Sequence, residues 1–227
     1  MPSRNVVKTY VENGFYHVYN RGVEKRIIFK ETQDYKVFLS YLKEYLSPQY
    51  DNFKLKKEFT LQGETFKGVP RQPKNYYGKI DLISYCLMPN HFHFLLKQVS
   101  NNQMQEFVRS ISTRYSMYFN KKYNRIGSLY QGPYKAVLIS HDTFLLHLSR
   151  YIHLNPSEFS IDLTNTYSSY AEFLGLRNTL WIKQDIILNL FNNMVTKDFK
   201  KINNYKDFVE KAKINDKEIV GDLILED

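Results

Sequence analysis

The stretch Ser84-Tyr85-Cys86-Leu87-Met88-Pro89-Asn90-His91-Phe92-His93-Phe94-Leu95-Leu96 holds two histidines, one residue apart, inside an apolar and aromatic run. A strand's two-residue repeat puts both imidazoles on one face and Phe92 and Phe94 on the other. Pro89 cannot donate to a ladder and Asn90 suits a turn, so Met88-Pro89-Asn90 reads as a hairpin turn. One strand then runs over Lys79 to Leu87 and the second returns with the histidines. Such a hairpin holds the imidazoles on regular backbone, where a metal ion can sit on their face. A short His-x-His run is also ordinary strand surface, so the pair needs a companion.

Tyr151-Ile-His-Leu-Asn155-Pro156 supplies one. Ser140-His-Asp142 can cap a helix starting near Thr143, and Pro156 should end it near Asn155. Within it His147, Tyr151 and Asn155 recur every fourth residue and share a face, while Leu145, Leu148 and Ile152 supply the buried one. A tyrosine and an amide thus stand one turn apart at the end of a helix.

Composition bounds the partner. The chain has 227 residues, enough to bury a core, and 32 lysines and arginines against 23 acids give a formal charge of +9. That excess favours a polyanion. The 19 tyrosines and 16 phenylalanines are plentiful; most build the core, but rings among positive charge also suit single-stranded nucleic acid, where bases stack and the backbone follows the charge. The single cysteine, Cys86, excludes an internal disulfide and reads as a small buried apolar residue in a reducing compartment. No apolar run is long enough to span a bilayer, which points to a cytoplasmic protein without a membrane partner.

The remaining elements follow the periodicity. Gly14-Phe-Tyr-His-Val-Tyr-Asn20 alternates as a first strand closed by Asn20-Arg21-Gly22, with His17 read as packing and Arg21 placed to meet a phosphate. Asp34 to Leu46 has apolar residues at 35, 38, 39, 42, 45 and 46, a helix with one buried face. The basic segment from Ser47 to Tyr77 is long for a compact domain and is either a functional loop or a hairpin around Lys54 to Phe66. From Asn102 the period lengthens again into a helix through Phe119 whose polar side offers Arg109 and Arg114. Lys121, Lys122 and Arg125, then Tyr130, Gln131, Tyr134 and Lys135, form a basic and aromatic cluster suited to a phosphate backbone and a stacked base, with a strand from Tyr134 to Ile139. After Pro156 the chain changes character, with helical segments over Trp181 to Phe191 and Tyr205 to Ala212.

Two imidazoles and the Asn155 amide oxygen are too few for structural zinc, which wants four protein ligands. They leave positions for water or a phosphate, as Mg²⁺ or Mn²⁺ requires. A tyrosine near such a cation can attack a phosphodiester and keep its bond energy in a covalent 5′-phosphotyrosine, from which another 3′-hydroxyl can be joined.

These residues resemble a known family. His91-Phe92-His93 after Met88-Pro89-Asn90 resembles the His-hydrophobic-His motif of the HUH endonuclease superfamily. Gly14-Phe-Tyr-His-Val-Tyr-Asn-Arg-Gly22, Gly127-Ser-Leu-Tyr-Gln131 and Tyr151-Ile-His-Leu-Asn155-Pro156 look like the companion motifs of its single-tyrosine insertion-sequence transposases and, closer still, of the transposases associated with repetitive extragenic palindromic (REP) sequences. The likeness runs from about Tyr10 to Tyr170. It implies an α+β fold, a ferredoxin-like or RRM-like antiparallel sheet flanked by helices, over residues 1–160; the inserted loop at about 47–77 and a C-terminal helical extension over 161–227, packed on the core, depart from the family's minimal pattern. It implies His91, His93 and Asn155 as metal ligands, Tyr151 as nucleophile, and single-stranded DNA near imperfect hairpins as substrate, which would place the protein at the nucleoid. Insertion-sequence members work as dimers that can exchange the tyrosine helix, and palindrome-associated ones can act as monomers, so both a homodimer and a monomer are open. A domesticated hairpin-binding protein without cleavage, and a replication initiator or relaxase using the same chemistry, are the alternatives.

Overall fold

The computed structural model describes residues 9–49, 57–68, 74–198, 202–211 and 221. Its centre is a four-stranded sheet in the order β4-β5-β1-β6, built from β1 (Phe15–Arg21), β4 (Ile80–Met88), β5 (His91–Gln98) and β6 (Lys135–Ile139). All three pairings are antiparallel. Helix α1 (Thr32–Leu46) lies between β1 and β4 in the chain, and α2 (Gln103–Lys122) between β5 and β6. With the hairpin between α1 and β4 set aside, this is the ferredoxin-like split βαβ arrangement that the family resemblance implies.

The alternation in β5 divides the molecule into two cores. Phe92, Phe94 and Leu96 belong to one buried cluster with Phe38 and Leu42 of α1 and Phe107, Ile111 and Tyr115 of α2. Leu95 belongs to a second, on the other face, with Leu145, Leu148 and Ile152 of α3 (Asp142–Leu154) and Ile187, Phe191, Tyr205 and Phe208. β4 keeps step through a register shift between Leu82 and Ser84, after which Tyr85 and Leu87 face the first core and Cys86 and Met88 the second. Cys86 is fully buried, as a small apolar residue should be, and burial pushes its thiol up.

The segment from Ser47 to Tyr77 contains a hairpin, β2 (Lys57–Leu61) and β3 (Glu64–Gly68), joined by Gln62-Gly63. Both turn residues have positive φ, 54° and 88°, the geometry of a two-residue turn whose twist matches the strands. Residues 50–56 and 69–73 lie outside the described residues.

Beyond Pro156, α4 (Tyr170–Phe173), α5 (Asp185–Asp198) and α6 (Tyr205–Glu210) pack on the α3 face, so residues 163–209 supply much of the second core. α5 starts later than the sequence suggests: Ile182 instead bridges Leu82 in parallel, and Lys183 N donates to Leu82 O at 2.9 Å beside β4. The start of α3 also differs in detail, since His141 precedes it without a side-chain cap and Asp142 lies in its first turn. Among the described residues no helix is long and apolar enough to cross a membrane.

Candidate active site

His91 and His93 both leave β5 toward α3, their ring centroids 4.9 Å apart and nearly perpendicular. Tyr151, half-buried on α3, sets its ring edge-on to His93 with centroids 5.6 Å apart. Strand and helix of one chain therefore bring the phenol to the imidazoles. The sheet face explains the meeting: residues of the β5 parity that avoids Phe92 and Phe94 can only look at α3, and Tyr151 is on the side of α3 that looks back.

Each histidine has its Nδ1 edge engaged. Asn90 Oδ1 lies 2.6 Å from His91 Nδ1, and because an amide oxygen only accepts, His91 Nδ1 is the donor and Nε2 the basic nitrogen. His93 Nδ1 lies 2.9 Å from His17 Nε2, both rings fully buried. Tyr19 opposes His93 across the β1–β5 ladder, and His17, opposite Leu95, is its diagonal neighbour. Burial first, then the neighbouring His91 and His17 imidazoles, hold His93 well below the usual histidine range. It is neutral, the form in which imidazole binds a metal. Its Nε2 is buried without a hydrogen-bond partner, an expensive state for a polar atom unless a ligand belongs there.

Asn155 follows the last residue of α3, and its Nδ2 donates to Tyr151 O at 3.0 Å, turning the amide nitrogen back on the helix. Among the described residues no group of three or more His, Cys, Asp and Glu side chains could hold a metal. A third protein ligand would have to be of another type, and an amide oxygen is one.

α3 is held from behind by α6. Tyr205 Oη is 2.9 Å from both Ser149 Oγ and His153 Nδ1, and Arg150 Nε donates to Phe208 O at 2.6 Å. His153 Nε2 meets Ser169 Oγ at 2.9 Å, and that hydroxyl also accepts from Tyr85 N at 2.9 Å. Residues on both sides of Tyr151 are thus tied into the interior.

The remaining sequence-chosen residues divide. Arg21, Gln131 and Lys135 line a cleft of about 160 Å³ with Tyr19, Asn20 and Gly132. Arg21 pairs with His91 in register and its Nε donates to Gln131 Oε1 at 2.5 Å, so this cleft adjoins the imidazoles. The Asn20-Arg21-Gly22 turn beside it is tight, because a Cβ on Gly22 would stand 2.2 Å from Arg26 O. By contrast α2 packs on the opposite face, so Arg109, Arg114, Lys121 and Lys122 do not join the site. Arg114 pairs with Glu44 at 2.8 Å and lies 3.9 Å over the Tyr41 ring. Lys122 contacts Glu31 Oε1 and Asp34 Oδ1, each at 2.6 Å. Arg125 Nη1 donates to Asn120 Oδ1 at 2.9 Å. Tyr130 is a core residue, edge-on to Phe92 at 6.0 Å, and offers no face to a base. Tyr134 is half-buried with its hydroxyl 3.0 Å from that of Tyr10.

His17 is the site residue that sequence reasoning set aside. Its only sequence signal is its place in the Gly14 to Gly22 motif; its partner is 76 positions away.

Residues 56–155, which include both histidines, Tyr151 and Asn155, match the family model described as "Transposase IS200 like". No curated protein matches the chain. Ten solved chains do. One is a REP-associated tyrosine transposase bound to a REP hairpin, 11% identical, covering 78% of this chain and 95% of its own with a TM-score of 0.50. Another, a candidate transposase from Deinococcus radiodurans R1, is 14% identical over 67% of this chain and 95% of its own, with a TM-score of 0.35. The first likeness is one of fold.

Proposed function

We propose that the chain, whose residues 56–155 match the IS200-like transposase model, is a single-tyrosine transposase of the HUH type that nicks and rejoins single-stranded DNA at hairpin-associated sites through a covalent phosphotyrosine, with Mg²⁺ or Mn²⁺ bound at the imidazoles. The observation that carries this reading is the meeting of Tyr151 and His93 within one chain, ring to ring at 5.6 Å. A core packing role alone would not require a fully buried imidazole whose Nε2 lacks a partner.

His91, His93 and Asn155 are the residues that would hold the cation, the histidines through Nε2. The donor set fits. Asn90 and His17 engage the two Nδ1 atoms, and when His93 donates to His17 through Nδ1–H its own Nε2 presents a lone pair. Outer partners of this kind fix the tautomer and direction of a metal-binding imidazole. The bound cation supplies charge stabilisation to the non-bridging phosphate oxygens.

Tyr151 Oη attacks the phosphorus of the scissile phosphodiester. The O–P bond to tyrosine forms as the bond to the 3′ oxygen of the departing strand breaks; that oxygen takes up a proton and leaves as a free 3′-hydroxyl, while the phenolic proton passes to solvent. Attack by another strand's 3′-hydroxyl reverses the exchange and releases Tyr151. The helix holds the phenol in place, so little orientational freedom is lost at the moment of reaction. Arg21, Gln131 and Lys135 would bind the DNA beside the scissile phosphate, and the hairpin-bound relative is consistent with a folded-DNA substrate.

Incubation of the protein with Mn²⁺ and single-stranded DNA carrying a palindromic hairpin from its own genomic surroundings should give an adduct that survives denaturation. Tyr151→Phe should abolish it. Hairpin binding with no adduct in the parent protein would instead assign a binding role, and an adduct persisting in Tyr151→Phe would move the nucleophile elsewhere.

A further inference from the structure

On the face of the sheet away from the imidazoles, α1 and the chain beside β4 enclose an open groove of about 730 Å³. Its walls are apolar and aromatic. Tyr77 is 52% exposed and Leu180 is 84% exposed, and Trp181, half-buried, stacks on Tyr85 at 6.0 Å. Lys36 and Lys43, both exposed and two turns apart on one side of α1, stand on its rim. Neither lysine is ion-paired among the described residues, and no acidic side chain lines the groove.

The aromatic wall is fixed. Ile182 and Lys183 bond alongside Leu82 of β4, and Glu172, almost fully buried, accepts from Arg177 Nε and from Thr179 Oγ1, each at 2.7 Å. A surface that is rigid, apolar, aromatic and purely cationic matches a chain of flat rings joined by anions. Lipid headgroups lack the rings, and an acidic peptide lacks a regular series of them.

We propose that this groove is a second nucleic-acid site, which takes a single-stranded DNA segment with bases against Trp181 and Tyr77 and phosphates at Lys36 and Lys43. The choice of DNA over RNA rests on the proposed function; the groove itself does not depend on the tyrosine chemistry. Of its lining, Tyr77 lies within the residues matched by the family model, and Lys36, Lys43, Leu180 and Trp181 lie outside them. It offers a hold on DNA flanking the hairpin while the other face acts on the scissile phosphate.

Trp181 is the only tryptophan of the chain, so its emission reports on the groove alone. Titration of the full chain with oligothymidylate should quench that emission. For single strands the logarithm of affinity falls with the logarithm of salt by about 0.7 per phosphate neutralised. Replacing both lysines, Lys36→Ala with Lys43→Ala, should therefore flatten the slope by about 1.4 and make a fourfold rise in salt about sevenfold less damaging to binding. Both side chains are exposed, and an unchanged circular dichroism spectrum would verify the fold. Unchanged emission at concentrations where a labelled oligothymidylate is bound, or an unaltered salt slope in the double variant, would overturn the proposal. Equal quenching by oligouridylate would overturn the assignment to DNA. Failure of the Tyr151 adduct with quenching intact would reject the nuclease reading and leave the groove standing.

Discussion

Acid should loosen the helix that carries Tyr151, through His153. This imidazole is fully buried, with its two nitrogens on the hydroxyls of Tyr205 and Ser169. Burial pushes it down to about 3 from an ordinary 6.5. Between those values the unfolded chain takes a proton that the folded chain refuses, so stability is complete above about pH 6.5 and falls as pH drops toward 3. At 1.36 kcal/mol per unit, one such group costs about 2 kcal/mol at pH 5 and about 4 kcal/mol by pH 3. Urea unfolding at pH 8, 6.5 and 5 measures this, with His153→Gln as the reference that cannot titrate. The variant starts less stable, because a buried pair of hydroxyls loses its fitted partner, but its drop from pH 8 to pH 5 should be about 2 kcal/mol smaller than the parent's. The buried His93 also resists protonation, and its effect cancels in the difference between the two proteins. Equal drops in both proteins, or a His153 ring resonance that titrates near pH 6, would refute the reasoning.

Two further outcomes follow from the geometry. Mixing Tyr151→Phe with His93→Ala should not restore the DNA adduct, since phenol and imidazoles come from one chain; restored adduct on a denaturing gel would mean that a partner supplies the tyrosine. His17→Leu should weaken Mn²⁺ binding by about 10- to 100-fold in calorimetry or by paramagnetic resonance, as removal of an outer partner does, and unchanged binding would deny His17 that role.

The sheet and both flanking layers were legible because strand parity and helix period carry their own instructions. His91-Phe92-His93-Phe94 announces two faces, and the βαββαβ order follows from where the period changes. The turn at Gln62-Gly63 was a weaker signal, since neither flanking strand has a buried face: β2 and β3 are exposed along most of their length. Residues reaching across the fold were not legible. Nothing local to Lys122 or Arg114 reveals that Asp34 and Glu44 hold them, or that Tyr130 is turned into the first core. His17 could be read as packing until the β1–β5 register made it the diagonal neighbour of His93. The C-terminal segment reads in sequence as a helical extension packed on the core, but Tyr205 and Phe208 sit on a short helix whose pattern names no partner; the structure buries both against α3.

The interleaving of Phe92 and Phe94 with His91 and His93 ties chemistry to cooperativity. A one-residue slide of β5 would trade the two faces, driving imidazoles into a phenylalanine core and phenylalanine rings into the place where the imidazoles meet Tyr151. No half-way pairing preserves either, so this strand has no tolerable neighbouring minimum. Loss of Mn²⁺ binding and loss of tertiary structure should then share a single denaturant midpoint, with no population that is folded yet blind to metal.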